Sequence, residues 1–251
     1  MNRNEFFQAL PVTRLILRLT SATLEICSDD IDDIHLMVSG GKTDVDALRI
    51  SASADTLTVE QPMTALAKSA AAPDSWLEIA IRLPRSWKGA INARSVTGWM
   101  NIRSVNGSDL DLDTVSGTVM ISDVSFLTLS AHAVTGTIKL SRAATGKCSL
   151  FSTSGSLTVD STSLKTGSAN TVTGLVSLAL SAPFEDLSLN SVTGDLCVDA
   201  PITACDAILR SVTGRLHTSG VSITEGAARI SATTVSSDLD ITSTLDPVPE
   251  A

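Results

Sequence analysis

A glycine recurs at a nearly constant spacing through the middle of this chain, usually as the last residue of a Ser/Thr-Val-Thr/Ser-Gly motif. Nine glycines follow this pattern between residues 95 and 214, and most are separated by 9 to 10 or by 19 to 20 residues. A fixed period of this length is the sequence signature of a repeat architecture. The nine are Gly98, Gly107, Gly117, Gly136, Gly146, Gly155, Gly174, Gly194 and Gly214.

Each of these glycines is followed by a short stretch that alternates between apolar and polar residues. The positions two and four residues after the glycine are mostly apolar, as in Val176 and Leu178. Alternate residues of a β-strand point to the same side, so these positions are predicted to face a core. After Gly107 the pattern slips by one residue, and Leu110 and Leu112 take the inward positions.

The repeat therefore predicts an all-β fold, a single-stranded β-solenoid (β-helix-like) with coils of about 19–20 residues, capped by irregular N-terminal β-strands. Glycine permits the positive φ at which a coil turns its corner. We predict that the valine before it packs inward, with Val172, Val192 and Val212 in one buried ladder. The structural turn glycines are Gly98, Gly107, Gly117, Gly136, Gly155, Gly174, Gly194 and Gly214.

The pattern divides the chain into three predicted segments. Residues 1–88 form an N-terminal β-strand region that packs on or continues the solenoid, residues 89–244 form the repeat solenoid, and residues 245–251 form a tail. Within the first segment, residues 63–75 have the composition of a loop or short helix. Near the end, Thr234 to Ile241 keeps the motif with Ser237 in place of glycine, which predicts an atypical end cap.

Composition and charge limit the partners and the location. The net charge of -9, without a Lys/Arg cluster, argues against nucleic acid as a partner. No apolar run is long enough for a membrane-spanning helix, and we identify no signal peptide. We therefore expect a cytoplasmic protein; association with the envelope through a partner is the alternative. Without CxxC spacing, the cysteines are expected to be buried or free thiols: Cys27, Cys148, Cys197 and Cys205.

The residue types that usually perform catalysis or bind metals are scattered. His35, His132 and His217 lie far apart without a metal-spaced partner, and no P-loop, GxGxxG or GxSxG pattern occurs. The sequence predicts no catalytic residue, no metal site and no cofactor, and hence a protein that is not an enzyme.

Three clusters have both a functional and a structural interpretation. Asp109, Asp111 and Asp113 form either a calcium site or a row of solvent-facing acids, and Asp29, Asp30, Asp32 and Asp33 form either a weak cation site or a solvated turn. Trp76, Trp87 and Trp99 form either a stacking platform or a cover over the start of the solenoid. We favour the second, structural interpretation for all three clusters.

Two strand sequences and the repeat together resemble a known family. The strands are Leu57-Thr58-Val59-Glu60 and Ile81-Arg82-Leu83-Pro84, and the repeats of Ser/Thr-Val-Thr/Ser-Gly follow them. Over about residues 12–244 the chain resembles the bacterial β-strand-repeat family labelled "putative adhesin", a domain of unknown function. The resemblance implies the repeat fold and no established ligand or reaction.

We therefore expect a non-catalytic β-solenoid structural or interaction protein of this type, which binds another protein or a cell-envelope component as a monomer or weak homo-oligomer. A self-assembling scaffold is one alternative, because stacked coils can extend head to tail. A calcium-dependent, polysaccharide-acting β-helix enzyme is the other. It is disfavoured because the short coils between Gly117 and Gly214 leave no room for the long loops that carry active sites.

Overall fold

The computed structural model describes residues 1–62 and 76–245. The chain is 71% strand and 3% helix, and its fold is the predicted β-solenoid. It divides into two compact units, Met1–Ala131 and His132–Ala251. The loop or helix predicted for residues 63–75 lies outside the described residues, as do residues 246–251 of the predicted tail.

Unit 1 consists of strands and one short helix. Its elements are β1 (Asn2–Gln8), β2 (Arg14–Arg18), β3 (Thr23–Asp29), β4 (Asp33–Gly40), α1 (Lys42–Ala47), β5 (Arg49–Ser53), β6 (Thr56–Glu60), β7 (Leu77–Pro84), β8 (Ala90–Arg103), β9 (Asn106–Ser122) and the first part of β10 (Ser125–Ser141).

The strands of unit 1 are stacked as parallel coils closed by antiparallel strands. β2 is parallel to β6 on one side and to the first half of β8 on the other, and β3 lies in the same way between β7 and the second half of β8. β8 and β9 are parallel along nearly their whole length. β1, β4 and β5 add antiparallel strands. The N-terminal strands therefore continue the stack of β8 and β9.

Unit 2 contains the remaining strands. They are β11 (Ala144–Ser154), β12 (Leu157–Thr173), β13 (Val176–Leu180), β14 (Asp186–Thr193), β15 (Leu196–Ala200), β16 (Ala204–Arg210), β17 (Leu216–Ser219), β18 (Ser222–Ile223), β19 (Ala228–Thr234) and β20 (Leu239–Ser243).

The last coils of unit 2 are stacked out of sequence order. β19 lies between β14 and β16 and is parallel to both, and β20 lies between β15 and β17. The prediction of an end cap from Thr234 to Ile241 is therefore wrong. Ile241 is only 1% exposed, because the segment is inserted between two coils, and the coil of β16 and β17 lies outside it.

The core of each unit consists of aliphatic side chains from alternate strand positions. The residues two and four positions after the motif glycines are buried in most coils, as are Leu110 and Leu112 after Gly107. The outermost coil of unit 2 is the exception, because no further coil of the described residues covers it: Leu216 is half-buried and Thr218 is exposed. Within residues 1–62 and 76–245, no helix is both long and apolar enough to cross a membrane.

Candidate binding surface

The motif glycines form stacks in which successive backbones are in contact. Gly98, Gly174 and Gly194 have φ values of 122°, 139° and 120°, in the region that side chains disfavour. A Cβ atom on Gly174 would overlap the carbonyl oxygen of Gly155, and one on Gly194 would overlap that of Gly174. In unit 2 these positions therefore require glycine both for backbone conformation and for space.

Gly107 and Gly214 belong to the predicted set but do not have a positive φ. Their side-chain positions are blocked all the same: a Cβ on Gly107 would overlap the Gly89 carbonyl oxygen, and one on Gly214 would overlap that of Ser237. Close approach of the backbone, rather than the turn conformation, requires glycine at these two positions. The set also includes Gly117, Gly136 and Gly155, with φ values of 155°, 145° and 148°.

The predicted buried ladder of valines is wrong. Val172, Val192 and Val212 are 40%, 42% and 78% exposed. In β14, Leu187, Leu189 and Ser191 face the core, so the next residue, Val192, faces solvent. The corner at Gly194 then changes the phase, and Leu196 faces the core again. The prediction failed because the alternation does not continue unbroken through the corner.

These three valines are aligned in unit 2 with a fourth, Val235, which is 48% exposed. Thr171 pairs with Ser191 and Thr173 with Thr193, which places Val172 beside Val192. The Ser236 N–H donates to the Val192 carbonyl (3.2 Å), and the Thr213 N–H donates to the Val235 carbonyl (3.2 Å). At ~4.8 Å per strand the row is roughly 14 Å long. We call it the valine stripe: Val172, Val192, Val235 and Val212.

Polar side chains border the valine stripe two residues earlier on the same strands. Asn170 pairs with Asn190, and the Asn190 Nδ2 donates to the Asn170 Oδ1 (2.6 Å). Asn190 pairs in turn with Thr233, which pairs with Arg210. The parallel ladder therefore holds an apolar row and a polar row side by side on one face, as in the centre and rim of many protein interfaces.

The inward position of the motif belongs to a serine or threonine. Ser191 and Thr171 are 5% exposed and Thr234 is 6% exposed. The Thr234 hydroxyl is hydrogen-bonded to the Ser211 Oγ (2.8 Å) and donates to the Ser237 carbonyl (3.1 Å). The Thr171 hydroxyl has no hydrogen-bond partner among the described residues.

A second set of corners carries no glycine, and the sequence analysis missed it. Ser104 and Asp123 in unit 1 have φ values of 57° and 55°, and Arg142 and Ser161 in unit 2 have φ values of 48° and 49°. Their spacing of 19 residues repeats the coil length. This spacing was a signal for these corners, although serine, aspartate and arginine mark a left-handed conformation less clearly than glycine does.

The aspartates of β9 face outward, and each contacts a side chain on a neighbouring strand. Asn92 Nδ2 donates to the Asp111 Oδ2 (2.6 Å), and the Arg94 Nε lies 3.0 Å from the Asp113 Oδ2. Thr128 donates its hydroxyl proton to Asp109. This arrangement is a solvent-facing polar ladder. In the described part of the chain, no three His, Cys, Asp or Glu residues are grouped as metal ligands would be.

The acidic turn at residues 29–33 is anchored by one ion pair. Asp29 Oδ2 lies 2.9 Å from the Arg82 Nη1, and the Asp30 N–H donates to the Asp29 Oδ1 (2.8 Å). The Asp30 hydrogen bond, followed by that of Arg82, lowers the pKa of Asp29. These contacts fix the start of the loop to β7.

The three histidines lie in different surroundings. The His35 ring meets the Phe6 ring edge-on at 4.6 Å, and the His132 ring meets that of Phe151 at 6.0 Å. The His217 Nε2 is 4.0 Å from the Asp238 Oδ2, with both side chains about half exposed. The structure does not combine them into one site.

All four cysteines are free thiols, as expected. Cys148 is buried, and burial raises its pKa to about 12. Burial, followed by the nearby carboxylate of Asp206, raises the pKa of Cys205. Burial also raises the pKa of Cys197, with Asp240, Asp195 and Asp199 adding to the effect. Low thiolate content makes these side chains poor nucleophiles.

The three tryptophans of unit 1 differ in their exposure. Trp87 is buried, and its Nε1 donates to the Val12 carbonyl (2.8 Å). Trp76 and Trp99 are 50% and 58% exposed. Only Trp87 therefore covers the start of the stack in the predicted way.

Unit 1 also has an open cleft of about 570 Å³ beside Trp87. Its charged lining residues are Arg14, Lys88 and Asp109. It continues along the outward face of β2, β8 and β9 toward Asp111. Arg14 and Asp109 lie on β2 and β9, and Lys88 lies in the segment that precedes β8.

Comparisons with known proteins agree with this fold. The family model described as Toastrack DUF4097 matches residues 12–208. No curated protein sequence matches the chain.

Several solved structures have the same fold at low sequence identity. A "putative lipid binding protein" from Parabacteroides distasonis superposes with a TM-score of 0.64 at 15% identity, covering 95% of this chain and 96% of the other. A "putative adhesin" from Bacteroides fragilis gives 0.60 at 10% identity, with 96% and 97% covered. A "putative adhesin" from Parabacteroides merdae gives 0.62 at 8% identity, with 96% and 95% covered.

Proposed function

The chain belongs to the Toastrack DUF4097 family of β-solenoid domains, and we propose that it is a non-catalytic binding protein whose valine stripe contacts another protein or a cell-envelope component. The structural neighbours are named as adhesins or as a lipid-binding protein. Both kinds of name refer to binding rather than to a reaction, which supports a binding role for this chain.

The observation that carries the proposal is the alignment of Val172, Val192, Val235 and Val212 on one exposed face. Scattered apolar residues are normal on a protein surface, whereas a contiguous apolar row with a polar border is typical of an interaction site. Parallel pairing already orders the backbone of the four valines, and valine has a single restricted side-chain torsion, so that little conformational entropy is lost on binding.

The form of the surface favours a macromolecular partner. Small molecules are usually bound in concave sites that bury most of the ligand. The valine stripe is instead a row of side chains on adjacent strands, each at least 40% exposed. A partner with an extended apolar surface would cover several valines at once, whether that partner is a protein or an envelope component.

Binding without catalysis is also supported by the contacts of the chemically active side chains. The aspartates of β9 contact neighbouring strands, the histidines lie in separate places, and burial raises the pKa of the Cys148 thiol. A cytoplasmic location remains a prediction of the sequence. The alternative, attachment to the envelope through a partner, is compatible with the same surface.

A charge placed on the valine stripe tests the proposal. The Val172→Asp/Val192→Asp protein is compared with the parent for retention of a native cell-envelope fraction on the immobilised protein. The matched control is Thr158→Asp/Ser177→Asp, which also adds two carboxylates on paired outward positions of neighbouring strands. We expect the parent and the control to bind and the stripe variant to bind about tenfold less. Equal retention by all three proteins would contradict the proposal.

A further inference from the structure

The outermost coil of unit 2 leaves one strand partly unpaired. β16 pairs along its length with β19, whereas on its other side β18 reaches only Ala204 and Cys205. From Asp206 to Arg210, no described strand lies on that second side. Free backbone N–H and C=O groups on such an edge are a template for pairing with another strand.

The core is also incomplete at this edge. Ala207 and Leu209 continue the inward rows of Ile230 and Ala232, with which they pair. Ile230 and Ala232 are fully buried, but Ala207 and Leu209 are only half-buried. Coils of a solenoid obtain their burial from both neighbours, so a terminal coil normally needs a cap. In the described part of the chain, no layer covers these two apolar side chains on that side.

The free part of β16 is complementary to a second copy of itself. If two such strands pair antiparallel about Ile208, Asp206 of one strand lies opposite Arg210 of the other, and the reverse holds by symmetry. The smaller Ala207 then lies opposite the larger Leu209. Opposite charges and fitting volumes at directly opposed positions stabilise antiparallel pairs. Asp206 and Arg210 make no ion pair with any described residue, so both are available.

We propose that this edge is a self-association surface, on which a second copy of the chain adds its own β16 in antiparallel orientation. The pairing is isologous, so it closes at two copies and does not extend into a fibre. Self-complementarity in charge and size identifies a second copy, rather than an unrelated strand, as the partner. The proposal is independent of what the valine stripe binds.

Charge reversal tests the predicted opposition of Asp206 and Arg210. Sedimentation velocity is measured on the full chain between about 1 µM and about 100 µM, a range in which association depends on concentration. We expect the parent to dimerise. Asp206→Arg and Arg210→Asp should each weaken the dimer about tenfold, and the double variant should restore it, because the opposed charges are then exchanged.

The control for this series is Lys139→Asp, which reverses the charge of an exposed residue on β10. This variant should dimerise as strongly as the parent. Circular dichroism establishes that each variant is folded. The proposal is overturned if the parent stays monomeric throughout the range, or if the double variant associates no better than the single variants.

A cross-link provides a second test that does not depend on weakening the dimer. A cysteine at the centre of an antiparallel pair faces its own copy at a Cα separation of about 4.5–5.5 Å, within the Cα range of about 4.4–6.8 Å over which disulfides form. We expect mild oxidation to convert Ile208→Cys into a covalent dimer. Leu127→Cys, 70% exposed and on a different strand, β10, should stay monomeric. If Ile208→Cys forms no covalent dimer, or if Leu127→Cys cross-links equally, the antiparallel pairing is wrong.

Discussion

Gly174 lies directly against Gly155 in unit 2: a Cβ atom on Gly174 would overlap the Gly155 carbonyl oxygen. The Gly174 φ of 139° is unfavourable for a side chain as well. The same contact recurs between Gly194 and Gly174, so the stack is built from backbone alone at this corner. The close contact between coils explains why glycine returns at the coil period.

The first prediction distinguishes the cost of a steric overlap from the cost of an unfavourable backbone φ when a glycine is replaced by alanine. Gly174→Ala should lower the free energy of unfolding by more than about 3 kcal/mol, because it adds a backbone overlap to a strained φ. Gly226→Ala is the matched control: its φ is 83° and its Cβ would meet nothing within 4 Å. It should cost about 1–2 kcal/mol, from conformation alone. Urea unfolding measures both, and equal losses would mean that the contact between coils is unimportant.

The second prediction concerns the two sides of one strand. Val192→Asp should change the free energy of unfolding by less than about 1 kcal/mol, because the side chain is 42% exposed. Ser191→Asp should cost about 3 kcal/mol or more, because it places a carboxylate in the aliphatic core. Thermal unfolding of the two variants is compared with the parent. A larger loss of stability for Val192→Asp than for Ser191→Asp would show that the valine side chain lies in the interior instead.

The third prediction concerns buried hydroxyl groups in the inward serine and threonine row. Thr171→Val should be neutral or stabilise the protein by up to about 1 kcal/mol, since the Thr171 hydroxyl has no hydrogen-bond partner among described residues. Thr234→Val should lower stability by about 1–2 kcal/mol, because it removes hydrogen bonds to Ser211 and Ser237. Chemical denaturation measures the difference, and a loss at Thr171 as large as that at Thr234 would contradict this assignment.

The fourth prediction follows from the raised pKa of Cys148. Its ordinary pKa of 9.0 applies to the unfolded chain, whereas burial raises the folded value to about 12. Between these values the unfolded state loses a proton that the folded state keeps, so stability should fall as the pH rises from 9 toward 12.

This dependence on pH has a direct control. One such thiol lowers the free energy of unfolding by about 1.4 kcal/mol for each pH unit between its unfolded and folded pKa values. Cys148→Ala should therefore lose stability less steeply above pH 9 than the parent, while Ser149→Ala should follow the parent. Urea unfolding at a series of alkaline pH values measures the slopes, and parallel curves for the parent and Cys148→Ala would show that the thiol does not contribute.

The sequence alone determined the period of the fold and most of its core. Gly98, Gly117 and the later glycines recur at the coil length because a side chain there would collide with the neighbouring coil. Within each strand, alternation correctly placed pairs such as Val176 and Leu178 inside. Both signals are local: they depend on the pleat of one strand and on the space beside one corner.

The tertiary structure decided two things that local patterns do not contain. The phase of alternation changes at Gly194, which turns Val192 outward and creates the valine stripe. The order of coils changes as well, because β19 and β20 insert between earlier coils and leave Asp206–Arg210 of β16 at the edge. Parallel strands accept any neighbour of suitable length and pattern, so only the assembled stack determines which coil lies outermost.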